Sequence, residues 1–422
     1  MSGRSIRNAE VVTVGDELLL GVTADANFVW LASRLAEAGV RVDRQTTVGD
    51  GEEEIRRAVD EAAARSPLVV VTGGLGVTPD DRTRQALADL AGVRLIPDPA
   101  LIREMEVYHR DRRIRMPAIN VAQASLPEGA RKIPNRVGLA PGLRMKIRKA
   151  TVFVFPGVPA EMRQLTEDGL IPYLRRRNGE APIRQKSLRT WGIGENALAE
   201  KLRDYLARER PVSISFLPER RGVTLRFRLH EGVEGDPEGV LAMQTDEAAA
   251  ILGDLVYSTG GEELEEVVAY LLLLRKRTVA TAESCTGGRL ADLLTSVPGS
   301  SAWFREGFIP YGAERKKATL GVPEEVLRER GTVSAETAEE LARRVRALSG
   351  ADIGVGVTGV AGPESVENQP VGRVFIALDA RGGTIVRRWD LPGSRDRVKD
   401  RAARHALDMI RLHLIAEEEG GG

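Results

Sequence analysis

The sequence predicts a multidomain α/β protein, and three observations carry that reading. Short apolar runs at 68–71 and 353–357 end on glycine-rich polar loops and lead into helical patterns, as parallel strands buried on both faces do. Between about 170 and 258 this alternation gives way to a hairpin with two-residue periodicity. At 422 residues the chain is long enough for two to three domains, and 42% apolar with 29% charged residues is ordinary for globular protein.

In chain order, residues 11–14 read as a strand ending at Gly15, Asp16 and Glu17. A helix over 28–38, a strand over 40–46 and a helix over 52–64 follow. Strand 68–71 runs into Thr72, Gly73, Gly74 and Gly76, and Asp80 and Asp81 precede a helix over 83–90. In open α/β sheets ligands bind outside the carboxyl ends of the strands. The glycines let backbone approach a phosphate, while Asp16, Glu17, Asp80 and Asp81 offer hard oxygen ligands, so together they predict a metal-assisted phosphate site. Asp80 and Asp81 are the first choice of metal ligands. Taken singly, each feature has a plainer reading, a tight turn or a helix cap. A further strand end at Phe155 leads into a helix with Pro159 in its first turn, which places Glu161 on the same rim.

From 185 the pattern is a strand, a helix over 197–208, a hairpin turning at 218–222 and a helix over 238–252. Val212, Ile214 and Phe216 alternate on one arm, and Val223, Leu225, Phe227 and Leu229 on the other. This is read as a small connecting or dimerising domain. A helix over 262–276 opens the last segment; its apolar run 267–274 falls far short of the roughly 20 residues that span a bilayer and reads as buried. Strand 277–282 then delivers Ser284 to a loop, and Gly287 and Gly288 open a helix with Leu290, Leu293 and Leu294 on one face. A hydroxyl beside unpaired backbone N–H groups is a candidate nucleophile with an oxyanion site; a capped strand-to-helix turn is the alternative. Strand 303–310 ends at Tyr311, and helix 313–320 carries Lys316, so both side chains can lean over one pocket. Strand 353–357 ends at Thr358 and Gly359, strands follow over 371–379 and 385–391, and Arg395 precedes a last helix over 396–415. The acidic, glycine-rich end, 417–422, is expected to be disordered.

Composition removes several function classes. Lys plus Arg and Asp plus Glu both total 61, which gives no electrostatic case for nucleic acid or an anionic membrane as partner. Cys285 is the single cysteine, so an intrachain disulfide and a cysteine-cluster metal site are out. The four histidines show no metal spacing. The N-terminus lacks the apolar core of a signal peptide, and a cytoplasmic protein is expected.

Several strings are too specific for coincidence: Ala282-Glu-Ser-Cys-Thr-Gly-Gly288, Ser300-Ser-Ala-Trp-Phe304 with Tyr311 and Lys316, Thr358-Gly-Val-Ala-Gly-Pro363, and Pro370-Val-Gly372. Gly15-Asp-Glu-Leu-Leu-Leu-Gly21, Thr72-Gly-Gly-Leu-Gly76, Thr78-Pro-Asp-Asp81, Asn120 with Gln123, and Pro156-Gly-Val-Pro159 accompany them. From Val11 to about Ile415 the chain resembles the CinA family (competence/damage-inducible protein A), whose C-terminal half is like the nicotinamide-nucleotide amidohydrolases. The resemblance implies three domains: a molybdopterin-binding-like α/β domain over 1–170, a small KH-type α+β domain over 171–258, and an α/β amidohydrolase domain over 259–416. It implies two activities. One is deamidation of nicotinamide mononucleotide (NMN), with Ser284 as nucleophile, Tyr311 and Lys316 as partners, and Arg395, Thr286, Gly287, Gly288, Thr358 and Gly359 as substrate contacts, without a cofactor. The other is cleavage of ADP-ribose with a divalent metal (Mg, Mn or Co), in a site that also takes in Asn27, Asn120, Gln123 and Gly157. A homodimer is implied as well. The chain departs from the family at Gly312-Ala313, where Ser-Asn is usual, at Glu364-Ser-Val-Glu-Asn368, where glycines are usual, and at Ser394, where Asp is usual. Two other classes fit the residues, a binding protein with relic sites and an RNA-associated factor. Against the second, a nucleic-acid-binding KH fold clamps with Gly-x-x-Gly, and the middle segment offers Gly192-Ile-Gly-Glu195.

Overall fold

A computed structural model gives the fold and describes residues 5–76, 78–111, 114–116, 124–179, 185–230, 233 and 235–419. Asn120 and Gln123 lie outside them. The chain divides into two compact units, 1–184 and 185–422.

The first unit has strands β1 (Asn8–Val14), β2 (Arg41–Val48), β3 (Leu68–Thr72), β4 (Leu95–Pro97), β5 (Ser125–Pro127), β6 (Arg131–Ile133), β7 (Gly142–Ile147) and β8 (Ala150–Phe155). Its main sheet has the order β2-β1-β3-β8-β7-β6; β2, β1, β3 and β8 are parallel, and β7 and β6 turn antiparallel. β4 and β5 form a separate ribbon. Successive side chains on a strand point to opposite faces, so each buried strand serves two cores. Val12, Val14, Val69, Val71 and Val154 pack with Ile55 and Val59 of the helix Glu52–Arg65. Ala9, Val11, Val70, Phe153 and Phe155 pack with Leu31 and Leu35 of the helix Ala26–Glu37 and with Met162 and Leu165 of the helix Pro159–Leu165. Helical structure continues without a break from Pro159 to Asn178, and Leu170, Ile171 and Leu174 stay in this second core, past residue 170 where the sequence changes pattern.

In the second unit, β9 (Gln185–Thr190), β10 (Val212–Glu219), β11 (Gly222–Leu229) and β12 (Val256–Ser258) form an antiparallel sheet in the order β10-β11-β9-β12. Leu188, Leu225 and Phe227 pack against Leu198, Tyr205, Leu241 and Ala248 from its helices. The hairpin turn is tighter than the sequence predicts: Pro218 pairs with Val223, and only Arg220 and Arg221 lie between the strands. A second sheet follows, with β13 (Val279–Glu283), β14 (Phe304–Phe308), β15 (Ile353–Gly359), β16 (Arg373–Ala380) and β17 (Gly383–Asp390) in the order β14-β13-β15-β16-β17. β14, β13 and β15 are parallel, β16 and β17 antiparallel. The helices Leu264–Leu274, Arg289–Thr295 and Arg395–Glu419 cover one face, and Ala335–Ser349 the other.

Two expectations change here. The apolar run 267–274 is buried on one side only, through Val268, Ala269 and Leu272, while Tyr270, Leu273 and Leu274 are exposed, because a helix on a sheet turns only one stripe inward. The last helix runs to Glu419, and Glu417, placed by sequence in a disordered tail, takes Arg277 at 3.1 Å. No described helix is long and apolar enough to cross a membrane.

Candidate functional sites

In the second unit, the parallel strands β13, β14 and β15 end on one edge, which brings Ser284, Tyr311 and Thr358 together from three distant stretches. Lys316 sits one turn into the helix Ala313–Leu320, and its Nζ lies 3.0 Å from Ser284 Oγ. Lys316 is only 2% exposed, and burial lowers its pKa from the ordinary lysine value by disfavouring the ammonium form. Among the described residues its Nζ has no salt bridge, so the hydroxyl is its one hydrogen-bond partner.

Cys285 is the other nucleophile on this loop, and burial pushes its thiol up to about 12. At neutral pH it is a packed apolar side chain, in the cluster with Leu290, Leu293 and Leu294.

Tyr311 is held differently from expectation. Its carbonyl accepts Ser284 Oγ at 3.5 Å, while its hydroxyl points away to Arg395, whose Nη2 donates at 2.6 Å. Arg395 also donates to the Gly362 carbonyl. Thr358 donates to the Thr332 carbonyl at 2.6 Å, and Glu367, in the segment that departs from the family, accepts Thr332 N at 2.6 Å and Oγ1 at 2.8 Å. The Glu367 carboxylate thereby holds this wall.

Sequence reasoning missed Glu283. Its buried carboxylate accepts Leu290 N at 3.0 Å and Ala291 N at 2.8 Å, so the first turn of Arg289–Thr295 is already capped from inside. Gly287 N is also used, on the Ser284 carbonyl at 3.1 Å. The amides of Thr286 and Gly288 have no partner among the described residues, and neither has the fully buried Thr286 Oγ1. Together with the Cys285 amide, which also donates to no other described residue, these groups are the candidate oxyanion donors. The signal in the sequence was a carboxylate closing an otherwise apolar strand, which needs a partner wherever it is buried.

In the first unit, Val14, Val48, Thr72 and Phe155 end four parallel strands on one edge, above a cavity of about 620 Å³, a size that suits a nucleotide. Gly15, Glu17, Gly73, Gly74, Gly76, Asp80, Asp81, Gly157 and Glu161 line it. A Cβ on Gly73, which has φ +110, would run into the Val14 carbonyl, so the strands can end this close only at glycine. Asn27 donates to the Gly157 carbonyl at 2.6 Å behind the rim, and Thr72 Oγ1 to Pro156 O at 3.2 Å. Glu161 accepts Asn135 Nδ2 at 2.6 Å. Tyr108 and Asp50 also line the cavity and were not foreseen.

The two aspartates chosen as metal ligands separate. Asp81 accepts Gly76 N at 2.7 Å, Thr78 N at 2.9 Å and Thr78 Oγ1 at 2.6 Å, so it orders its own loop, whereas Asp80 makes no such bond. Asp16 and Asp50 each accept the other's backbone N–H at 3.2 Å. Burial, and then the nearby carboxylates of Asp16, Glu17 and Asp80, raise the pKa of Asp50. Among the described residues no three acidic, histidine or cysteine side chains converge enough to hold a metal alone. Glu17, Asp50 and Asp80 make a partial oxygen set without a cationic neighbour in a salt bridge. A hard cation fits such a set when phosphate oxygens complete it.

Three family descriptions cover the chain: a probable molybdopterin binding domain over 10–176, the damage-inducible protein CinA KH domain over 185–258 and the CinA C-terminal domain over 261–414. A CinA-like protein of Frankia casuarinae is 42% identical over 415 residues, 96% of each chain. The chain belongs to the CinA family. A CinA-like protein of Gemmatimonas aurantiaca is 40% identical over 420 residues, 97% of each chain. The solved structure of competence damage-inducible protein A from Klebsiella pneumoniae is 36% identical in a match covering 36% of this chain and 95% of its own, with TM-score 0.36. As a CinA member the chain has a molybdopterin-binding-like first domain, a KH-type middle domain and a CinA C-terminal domain.

Proposed function

We propose that the C-terminal domain hydrolyses the carboxamide of nicotinamide mononucleotide to the carboxylate and ammonia, using Ser284 as nucleophile and Lys316 as its base. The 3.0 Å contact between Lys316 Nζ and Ser284 Oγ carries the reading. A lysine whose burial outweighs the pull of the nearby Glu367 charge, and which makes no salt bridge, is biased towards the neutral amine, and the neutral amine accepts the serine proton as Oγ attacks the carboxamide carbon. The Thr286 and Gly288 amides and the Thr286 hydroxyl receive the oxyanion. Lys316 returns the proton to the leaving nitrogen, ammonia departs, and water, deprotonated by the same amine, cleaves the acyl-serine. Tyr311 contributes its carbonyl to aim Ser284, and its hydroxyl joins Arg395 in binding substrate.

The test is ammonia release from nicotinamide mononucleotide. Ser284→Ala and Lys316→Met should each remove at least about 1000-fold of kcat/KM, an order set by loss of a nucleophile or its base. Cys285→Ala should keep most of the activity, and chelator should leave it unchanged. A dead Cys285→Ala beside an active Ser284→Ala overturns the scheme.

We propose secondly that the first unit's cavity cleaves ADP-ribose to AMP and ribose 5-phosphate, a reading favoured by glycine backbone and carboxylates free of salt bridges on one nucleotide-sized cavity. A divalent cation bound there would neutralise the pyrophosphate bridge and activate water. Glu17, Asp50 and Asp80 would hold it together with the substrate's phosphates, Gly73, Gly74 and Gly76 would cradle the phosphates, and Asp81 would keep the cradle in shape.

A further inference from the structure

Lys399 stands on the same face of the last helix as Arg395, one turn further on. Its ammonium lies over the nucleophile loop: a Cβ built on Gly287 would be 3.3 Å from Lys399 Nζ. Among the described residues this ammonium makes no hydrogen bond and no salt bridge. The acids beside it are engaged elsewhere. Asp396 takes Arg220 and, at 3.3 Å, Arg289, and Asp400 takes Arg404 at 3.4 Å. A half-buried cation, in salt bridge with neither acid, is thereby left against a loop whose glycine has φ +60 and no side chain in the way.

Resting on the amidohydrolase reading, we infer that Lys399 is the specificity-determining residue for the 5′-phosphate of the substrate, acting with Arg395 as a two-cation receptor. Gly287 is three residues from Ser284, a separation of at most about 10 Å of chain. A mononucleotide places its phosphate one ribose away from the carboxamide, so one ligand reaches both Ser284 and Lys399. The two cations divide the work by chemistry. Arg395 is anchored on Gly362 and Tyr311 and presents a fixed planar fork, whereas Lys399 is a compact point charge on a flexible stem, suited to a phosphate dianion but not to a riboside, a pyridinium cation without phosphate.

The full chain is tested with two substrates, nicotinamide mononucleotide and nicotinamide riboside, and by calorimetric titration with ribose 5-phosphate. Lys399→Ala should raise KM for the mononucleotide about tenfold with kcat kept within about twofold, leave the riboside unchanged and weaken ribose 5-phosphate binding about tenfold; these are the sizes expected for one charge-assisted contact. Lys399→Arg should recover most of the loss. An unchanged mononucleotide KM, or an equal rise for the riboside, overturns the inference. Should the unmodified chain release no ammonia at all, the amidohydrolase reading has failed, and ribose 5-phosphate binding still decides for Lys399: equal affinity in both proteins, or none in either, sinks it.

Discussion

Lys316 and Ser284 show how burial decides chemistry between two ordinary side chains. In water the lysine is charged and the serine inert; here desolvation lowers the lysine pKa and the hydroxyl is its immediate neighbour. The sign follows directly. The base works only when unprotonated, so kcat/KM for deamidation should rise with pH through the Lys316 pKa and be lost as pH falls below it, with the limb lying under the usual lysine value of about 10.4. A pH–rate profile checks this; a limb at or above the ordinary value, or one that persists in Lys316→Met, rules out the assignment. The neighbouring Cys285 has the opposite fate, since burial holds its thiol protonated and closes the thiolate route at neutral pH.

At the scale of elements, the contact between the KH-type domain and the last helix depends on a histidine. His405 is flanked by Trp389, stacked at 4.9 Å, and Trp191, edge-on at 5.2 Å, and accepts the Trp191 indole N–H on Nδ1 at 3.3 Å. Burial, helped by Arg401, lowers its pKa to about 4. A histidine favoured as neutral in the fold contributes stability in full above the unfolded value near 6.5, and this is lost as pH falls from there towards 4. By pH 5 the loss amounts to about 2 kcal/mol. Urea unfolding of the chain at pH 7.5 and pH 5.0 should show that difference, and His405→Phe should abolish most of it; parallel pH dependences in the two proteins would falsify this role. The same helix carries Arg395 and Lys399 in its first two turns, so an element fixed by the tryptophan pair also positions the two cations at the nucleophile loop.

For the whole molecule, two units that each carry a candidate site should be separable in the test tube. The break at 184/185 leaves each unit its own core, and a fragment of 185–422 should therefore keep ammonia release within a few-fold of the full chain. The fragment 1–184 should keep ADP-ribose cleavage, lose it in excess chelator and lose it on Asp80→Ala. An ADP-ribose cleavage indifferent to chelator, or confined to 185–422, would refute the division of labour. A fragment starting at 259 removes Trp191 from His405 and Arg189 from Glu263, a 2.6 Å pair, and should unfold at lower urea than 185–422.

The sequence by itself determined the elements and their order, because periodicity, glycine loops and caps are local properties. The run 68–71 could only be a buried strand, Pro159 did begin a helix, and helix 313–320 was legible to the residue. Strand ends in parallel sheets share one edge, so the sequence also placed Ser284 and Thr358 on one rim and the Gly73 loop on another. Tertiary structure decided what those residues do there. Nothing local distinguishes Asp80, open to the cavity, from Asp81, spent on its own loop, or tells that Tyr311 turns its carbonyl to Ser284 and its hydroxyl to Arg395. Nor does it show that Glu283 takes the Leu290 and Ala291 amides, or that Lys399, over a hundred residues further along, comes to lie on Gly287. Partner choice among polar groups is a competition settled by distance and burial, and those exist only once the sheet has closed around them.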